Sequence, residues 1–318
     1  MSPPSVAVII PNWNGAHLLP TCLDALRRQT FRDHEVVLVD NASTDGSREL
    51  VRSSYPEVRL IELSRNVFFA GAVNAGIRAT AGRYVALLNN DTEVEPGWLE
   101  ALVRALDACP KAGLAASKML LFDRRDVINS AGDLYRVDGT PGNRGVWEVD
   151  RGQYDDSRLV FGASGGAALY RRAMLDDIGL FDEDFVGYCE DVDLSFRAQL
   201  AGYRCVFVPE ARIYHRLSAT GGGPLASFLC GRNFISVIVK DVPGPLLRRF
   251  GPQILAAQIR LGWEAFRHWR EPAARARLRG QVAALGALPL MLRKRRQVQS
   301  TRRVDLAYLE SVLSPRGG

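Results

Sequence analysis

The sequence predicts an α/β protein whose core is a mostly parallel sheet flanked by helices. Three observations carry that reading. Short apolar, β-branched runs alternate with segments of helical period over short connections, the pattern of strands joined by crossover helices. One run, Tyr84 to Leu88, is apolar throughout, as a strand buried on both faces should be. It delivers Asn89, Asn90 and Asp91 at its C-terminal end, where open α/β sheets bind their ligands.

In chain order, Ser5 to Pro11 reads as a first buried strand that ends in the loop Asn12-Trp13-Asn14-Gly15. Leu18 to Gln29 carries Leu18, Leu19, Cys22, Leu23 and Leu26 at the spacing of a helix packed on one side. Glu35 to Asp40 is a second strand, and its exit, Asp40 to Ser47, is rich in side chains that bond to nearby backbone and favour loops and helix caps. Val58 to Leu63 is a short strand, Asn66 to Gly71 a loop and Ala72 to Thr80 a helix. After Tyr84 to Leu88 come a helix over Trp98 to Ala108 and a strand over Leu114 to Phe122. Asp123 to Asp156 shows no usable period. Phe161 to Tyr170 reads as a strand whose glycines permit close approach of a ligand, followed by helices over Arg171 to Ile178 and Gly187 to Leu200. Cys205 to Pro209 is a further strand, with His215 in the loop beyond it.

A chain of 318 residues with 47% hydrophobic and 24% charged residues is that of an ordinary globular protein with a full core. Five cysteines without C-x-x-C spacing, and an amino terminus without a basic region ahead of an apolar core, predict reduced thiols and a cytoplasmic location. The net charge of +6 is uneven: Asp241 to Arg303 holds 14 Arg or Lys against 3 Asp or Glu, so the basic character belongs to the tail. That asymmetry suits an anionic surface such as membrane lipid better than nucleic acid. The expected division is a catalytic domain over 1–242, with halves at 1–110 and 111–242, and a basic helical region over 243–318. In that region Ile254 to Trp269 and Ala273 to Leu288 read as helices, and the apolar Val282 to Leu292 is too short to cross a bilayer. An interfacial hairpin and a helical appendage packed on the catalytic domain or on a second subunit are both consistent with it.

Three acidic groups would converge at the sheet's C-terminal end: Asp40 with Asp45, Asp91, and Glu190 with Asp191 and Asp193. A carboxylate held by a buried strand can grip a hard cation, and that cation can hold diphosphate oxygens, so Asp91 is the candidate metal ligand. Trp98 is a candidate for stacking on a ligand ring, and the Gly162 to Gly166 stretch for a backbone floor beneath a ligand.

The motifs Pro11-Asn12-Trp13-Asn14, Val39-Asp40-Asn41-Ala42-Ser43-Thr44-Asp45-Gly46-Ser47, Asn66 through Gly71, Asn74 and Gly76, Leu88-Asn89-Asn90-Asp91-Thr92, Gly162-Ala163, Glu190-Asp191-Val192-Asp193-Leu194-Arg197 and His215 occur jointly in this chain. In order and spacing they resemble the family 2 glycosyltransferases, in particular the rhamnosyltransferase-like branch. The resemblance spans Val6 to His215 and implies a GT-A fold, a nucleotide-diphosphate sugar donor, a divalent metal (Mg²⁺ or Mn²⁺) and inversion at the anomeric carbon. It implies that Asp40 is the base-side acid of the donor site, that Asp91 is the last acid of a DXD-type motif and that Asp191 is the catalytic base in a pair with Glu190. Asn89 replaces the first acid of that motif, so the metal rests on Asp91, with His215 as a second ligand. Pro11, Asn12, Asn14, Asn41, Ser43, Asn66, Gly71, Asn74, Asn89 and Asn90 fall on donor-side positions, and Gly162, Ala163, Gly165 and Trp98 on the acceptor side or floor. The loop after His215, through Arg216, Ser218 and Gly223, resembles the segment that closes over the donor.

The expected reaction is transfer of a sugar, rhamnose from a dTDP-sugar first and a hexose from a UDP-sugar second, to a hydroxyl of a saccharide or lipid-linked saccharide acceptor. Two alternatives stand beside it. A metal-dependent nucleotidyltransferase would carry a Gly-rich loop with a basic residue after the first strand, where this chain has Pro-Asn-Trp-Asn. A non-catalytic saccharide-binding module with a degenerate site is suggested by Asn89.

Overall fold

The structure is a computed structural model that describes residues 3–217 and 222–315. Its N-terminal half alternates strand and helix: β1 (Val6–Asn12), α1 (Leu19–Arg27), β2 (His34–Asp40), α2 (Ser47–Ser54), β3 (Arg59–Glu62), α3 (Phe68–Arg78) and β4 (Tyr84–Leu88). A short β5 (Thr92–Val94), α4 (Trp98–Ala108), β6 (Ala112–Leu121), β7 (Ile128–Ser130), β8 (Asp133–Tyr135), β9 (Pro141–Asn143), β10 (Leu159–Val160) and β11 (Ala167–Arg171) follow. The remainder is α5 (Arg172–Ile178), α6 (Glu190–Leu200), β12 (Arg204–His215), α7 (Gly223–Asp241), α8 (Gly244–Arg267), α9 (Pro272–Ser300) and α10 (Leu306–Val312).

The main sheet runs β10-β12-β6-β11-β4-β1-β2-β3 among the described residues, with β5 on β12 and β7 on β6, and β8 pairs β9 apart from it. β3, β2, β1 and β4 are parallel, β11 runs antiparallel between β4 and β6, and β12 is parallel to β6. The alternating faces of β1 explain why both sides need cover: Val6, Val8 and Ile10 pack with α1 and α4, whereas Ala7 and Ile9 pack with α3. All of β4 is buried, as its unbroken apolar run requires.

Several expected boundaries move. Phe68 to Gly71 opens α3 instead of belonging to the preceding loop. Phe161 to Tyr170 is not one strand: β10 stops at Val160 and the Gly162 to Gly166 stretch is a turn that leads into β11. His215 is the last residue of a long β12 rather than part of a loop, because Tyr214 and His215 pair with Glu93 and Thr92 of β5.

The C-terminal helices pack on the catalytic domain. Gly231 of α7 faces the Arg277 carbonyl of α9, and Gly280 of α9 faces the Phe228 carbonyl of α7, close enough that any side chain at Gly280 would collide with backbone. α7, which ends at Asp241, and α9, which lies beyond residue 243, thus pack directly on each other. Charge locks them in place. Lys240 at the end of α7 is buried and meets Asp182 at 2.6 Å and Asp193 of α6, and Lys294 of α9 also reaches Asp182, at 2.5 Å. No described helix is long and apolar enough to cross a membrane.

Candidate active site

The C-terminal ends of β1, β2 and β4 build one polar wall. Asn12, at the end of β1, accepts a hydrogen bond on Oδ1 from Asn90 Nδ2 at 2.7 Å and donates through Nδ2 to Asp40 Oδ2 and Ser43 Oγ, each at 3.3 Å. Gly15 is a glycine because a side chain there would occupy the space of the Asn12 and Asn90 amides. Ser43 Oγ also accepts from the Asn14 amide at 2.9 Å, and Asn14 Oδ1 from the Thr44 amide at 2.8 Å, which closes the loops after β1 and β2 on each other. Asp40 is fully buried and bonded to Arg48 Nε at 2.5 Å and the Ser43 amide at 3.0 Å. Asn41 donates to Asn66 Oδ1 at 2.9 Å and accepts from the Val67 amide at 2.8 Å, so these two asparagines brace the start of α3. Pro11, inside β1 opposite Val39, brings its strand to this wall.

Beyond β4 the chain turns sharply at Asn89 to Asp91. The Asn89 amide donates to the Gly166 carbonyl at 2.9 Å, while Asn89 Oδ1 is buried without a hydrogen-bond partner among the described residues. Asp91, 4% exposed, places Oδ1 3.4 Å from His215 Nε2. The other ring nitrogen of His215 lies 2.9 Å from Asn129 Oδ1. When Nδ1 donates to that amide oxygen, Nε2 turns its lone pair toward Asp91. A carboxylate and an imidazole so placed fit Mg²⁺ or Mn²⁺, which takes few protein ligands and fills its shell with water and substrate phosphate. Asp91 and His215 would hold it with the help of water and substrate, since no group of three or more His, Cys, Asp or Glu is placed to hold a metal ion among the described residues, and a bound cation would supply positive charge beside an anionic ligand.

The third group lies across β11. Asp191 Oδ2 accepts from the Gly165 amide at 2.9 Å and Oδ1 from the Val192 amide at 2.8 Å. Gly165 neighbours Gly166, the partner of Asn89, so Asp191 and the Asn89 to Asp91 turn are linked through two adjacent backbone groups. Burial raises the phenol of nearby Tyr188, whose hydroxyl accepts from the Gly222 amide at 2.8 Å. Burial raises the Asp191 carboxyl above its ordinary range, opposed by the two amides it accepts from. Glu190 goes up much further, through burial first and the Asp191 charge second, and its Oε2 has no hydrogen-bond partner among the described residues. Of the two neighbouring carboxyls, burial therefore disfavours the charge of Glu190 more than that of Asp191, which its two amide donors support. Asp193 is structural; burial works against its charge, but Arg197 and Lys240 outweigh it and hold the carboxyl below its usual range.

Some expected site residues face elsewhere. Trp98 is fully buried in the core beneath β6, its indole N–H donating to Ser117 Oγ at 2.8 Å, because it starts an amphipathic helix whose apolar side covers the sheet. Asn74 is buried and donates to the Phe181 carbonyl at 2.8 Å and Glu183 Oε1 at 2.9 Å, tying α3 to the segment before α6. Gly71 sits in the first turn of α3, where its missing side chain makes room for Val67. Gly162 gives its space to Ser195 of α6, and Ala163 is core, so of the proposed floor only Gly165 touches a functional side chain. The closing-loop residue Ser218 lies outside the described residues.

Two positions, Asn129 and Asp133, escaped the sequence reading. Asn129 sits in a region without usable period, and only the pairing of β7 with β6 brings it to His215. Asp133 is buried below the site, its carboxyl pushed well up by burial first and the Asp191 charge second. Trp13, 54% exposed beside Asn12 and Asn14, and Phe68, 50% exposed at the start of α3, stand at the same end of the sheet.

A mostly parallel sheet thus carries a carboxylate and a histidine at one strand end and a second carboxylate, seated on backbone amides, across β11. The model of glycosyl transferase family 2 matches residues 7–179, and the chain belongs to that family. It is 32% identical over 241 residues, 69% of this chain and 78% of the relative, to an N-acetylglucosaminyl-diphospho-decaprenol L-rhamnosyltransferase of Mycobacterium tuberculosis. In fold it is similar to the mannosyltransferase PcManGT of Pyrobaculum calidifontis, solved with GDP-Man and Mn²⁺ (TM-score 0.58, 21% identity, 98% of this chain and 86% of that one). It is also similar to S. aureus TarS 1-349, solved with UDP (TM-score 0.57, 18% identity, 93% and 90%). The chain is thus a glycosyltransferase of GT-A fold, and of the three readings of the sequence glycosyl transfer is the one that stands.

Proposed function

We propose that this glycosyltransferase inverts the anomeric centre in one displacement, moving a sugar from a nucleoside-diphosphate donor to a hydroxyl of a lipid-linked saccharide at the cytosolic face of a membrane. One observation carries the reading: Asp191 is fixed by the Gly165 amide next to the residue that holds Asn89, so a base and the diphosphate end of the donor would face each other across a short gap. In-line displacement requires that pairing, since the acceptor proton leaves on one side of the sugar and the diphosphate on the other. Asp191 takes the proton from the acceptor hydroxyl. Burial and the neighbouring Asp191 charge both disfavour a second negative charge on Glu190. The wall of Asn12, Asn14, Ser43 and Asn90, stiffened by Asp40 and Arg48, orients the donor, and Asn89 Oδ1 offers it an open acceptor.

Rhamnose from dTDP-rhamnose is the first candidate, supported by likeness to the mycobacterial rhamnosyltransferase, and UDP-hexoses are the second. That relative's name also motivates the lipid-linked acceptor. The test is a panel of nucleotide sugars with Mg²⁺ or Mn²⁺. Release of nucleoside diphosphate from a dTDP- or UDP-sugar, with an inverted product once acceptor is added, is expected. Retention at the anomeric carbon would contradict the mechanism.

A further inference from the structure

The helices α8 and α9 turn an apolar face to the outside. Leu255, Ile259 and Trp263, each 61% exposed, and Phe266, 56% exposed, recur at helical spacing along one side of α8. Val282, Leu285 and Leu292, at 68%, 61% and 52%, do the same on α9. The Trp263 and Phe266 rings stack with centroids 5.7 Å apart, forming one aromatic patch. A short connection makes the two helices antiparallel, and they meet where Gln281 of α9 reaches over Gly262 and donates to the Gln258 carbonyl at 3.1 Å. Their buried sides hold Ile254, Ala257 and Ala265 on α8 and Gly280, Ala284 and Met291 on α9. At 100° per residue both apolar stripes lie beyond that contact, on the side of the hairpin turned away from α7 and the catalytic domain.

The rim of this face is cationic. Arg267, Arg270, Arg279, Arg293 and Arg296 are exposed and have no ion-pair partner among the described residues. A second copy docked through the same face would bring these like-charged rims together. A bilayer with anionic headgroups accepts both features, the side chains entering the acyl boundary and the guanidinium groups staying with phosphate. We infer that the outer face of the α8–α9 hairpin is a docking surface for an anionic membrane, on which the protein lies without spanning it. The inference rests on the proposed reaction only for its purpose, to bring the active site to a lipid-linked acceptor.

The test is sedimentation of the full chain with vesicles of phosphatidylcholine alone or mixed in equal parts with phosphatidylglycerol. This readout needs no turnover, so its failure is distinct from failure of the proposed chemistry. Binding to the mixed vesicles should exceed that to phosphatidylcholine by about tenfold or more and weaken with salt. The double variant W263S/F266S should lose about tenfold in partitioning, and so should R267E/R270E. Both variants alter exposed side chains and should melt as the parent does. Absence of binding to the anionic vesicles would overturn the inference, as would equal binding by W263S/F266S. A parent that sediments as a dimer in solution, and that W263S/F266S converts to monomer, would also overturn it by assigning the face to a second copy.

Discussion

At the scale of single residues, two adjacent carboxyl groups are separated in function by what their oxygens accept. Asp191 receives the Gly165 and Val192 amides, whereas Glu190 points one oxygen into buried space with no donor. Substituting Glu190 by Gln should then keep most of the turnover, because the amide resembles the protonated acid; steady-state kinetics check this, and collapse would mean that Glu190 works ionised. The raised Asp191 carboxyl also has pH consequences. The acid limb of kcat should fall above the range of an ordinary aspartate, since the base works only once ionised. For stability, a carboxyl raised by folding favours the native state below its unfolded pKa, and that contribution is lost as pH rises through the folded value. Denaturant melts should show Asp191→Asn gaining stability relative to the parent when pH goes from acid to neutral, and a gain confined to acid would reverse the sign. Trp98→Phe, far from this chemistry, should cost about 1–3 kcal/mol by orphaning the buried Ser117 hydroxyl, with turnover unchanged.

At the scale of elements, the site is made by pairings distant in sequence. β7 presents Asn129 to His215 at the end of β12, and β5 on β12 fixes His215 beside Asp91. Asn129→Leu should raise the Mn²⁺ concentration for half-maximal activity by about 10–100-fold, the cost of losing a ligand's orienting partner, with donor affinity at saturating metal little changed. Metal titrations of activity and of donor binding separate the two effects. The same dependence explains what sequence could show. The alternation from β1 to β4 was legible because each strand there is a local apolar run whose period declares its burial, and Asp91 could be placed at a strand end for that reason. Asn129 and Asp133 could not, since β7 and β8 are three-residue strands with no period and gain their meaning from partners. Trp98 and Asn74 misled in the opposite way: their residue types suit sugar binding, but a helix face and a buried carbonyl had already claimed them.

At the scale of the whole molecule, the helical unit and the catalytic domain share a buried charge network. Asp193, two residues after Asp191 on α6, is held by Arg197 and by Lys240 of α7, and Asp182 by Lys240 and Lys294 of α9. Lys240→Met should destabilise the protein by about 3–5 kcal/mol, because it leaves buried carboxylates short of a cation. Thermal and denaturant melts would register that loss, and a neutral result would mean the helices dock by apolar contacts alone. Through this network α6, which carries Asp191, is tied by ion pairs to α7 and, through Asp182, to α9.

The measurement that bears most directly on the whole account is the Asp191→Asn variant assayed with the donor identified by the nucleotide-sugar panel. Donor affinity, followed by calorimetry with metal present, should match the parent, while nucleoside diphosphate release in the presence of acceptor should fall by about 10²–10⁴-fold, the usual worth of a positioned base. Parent-like turnover in that variant would show that the proton leaves by another route and that Asp191 is not the base of the transfer.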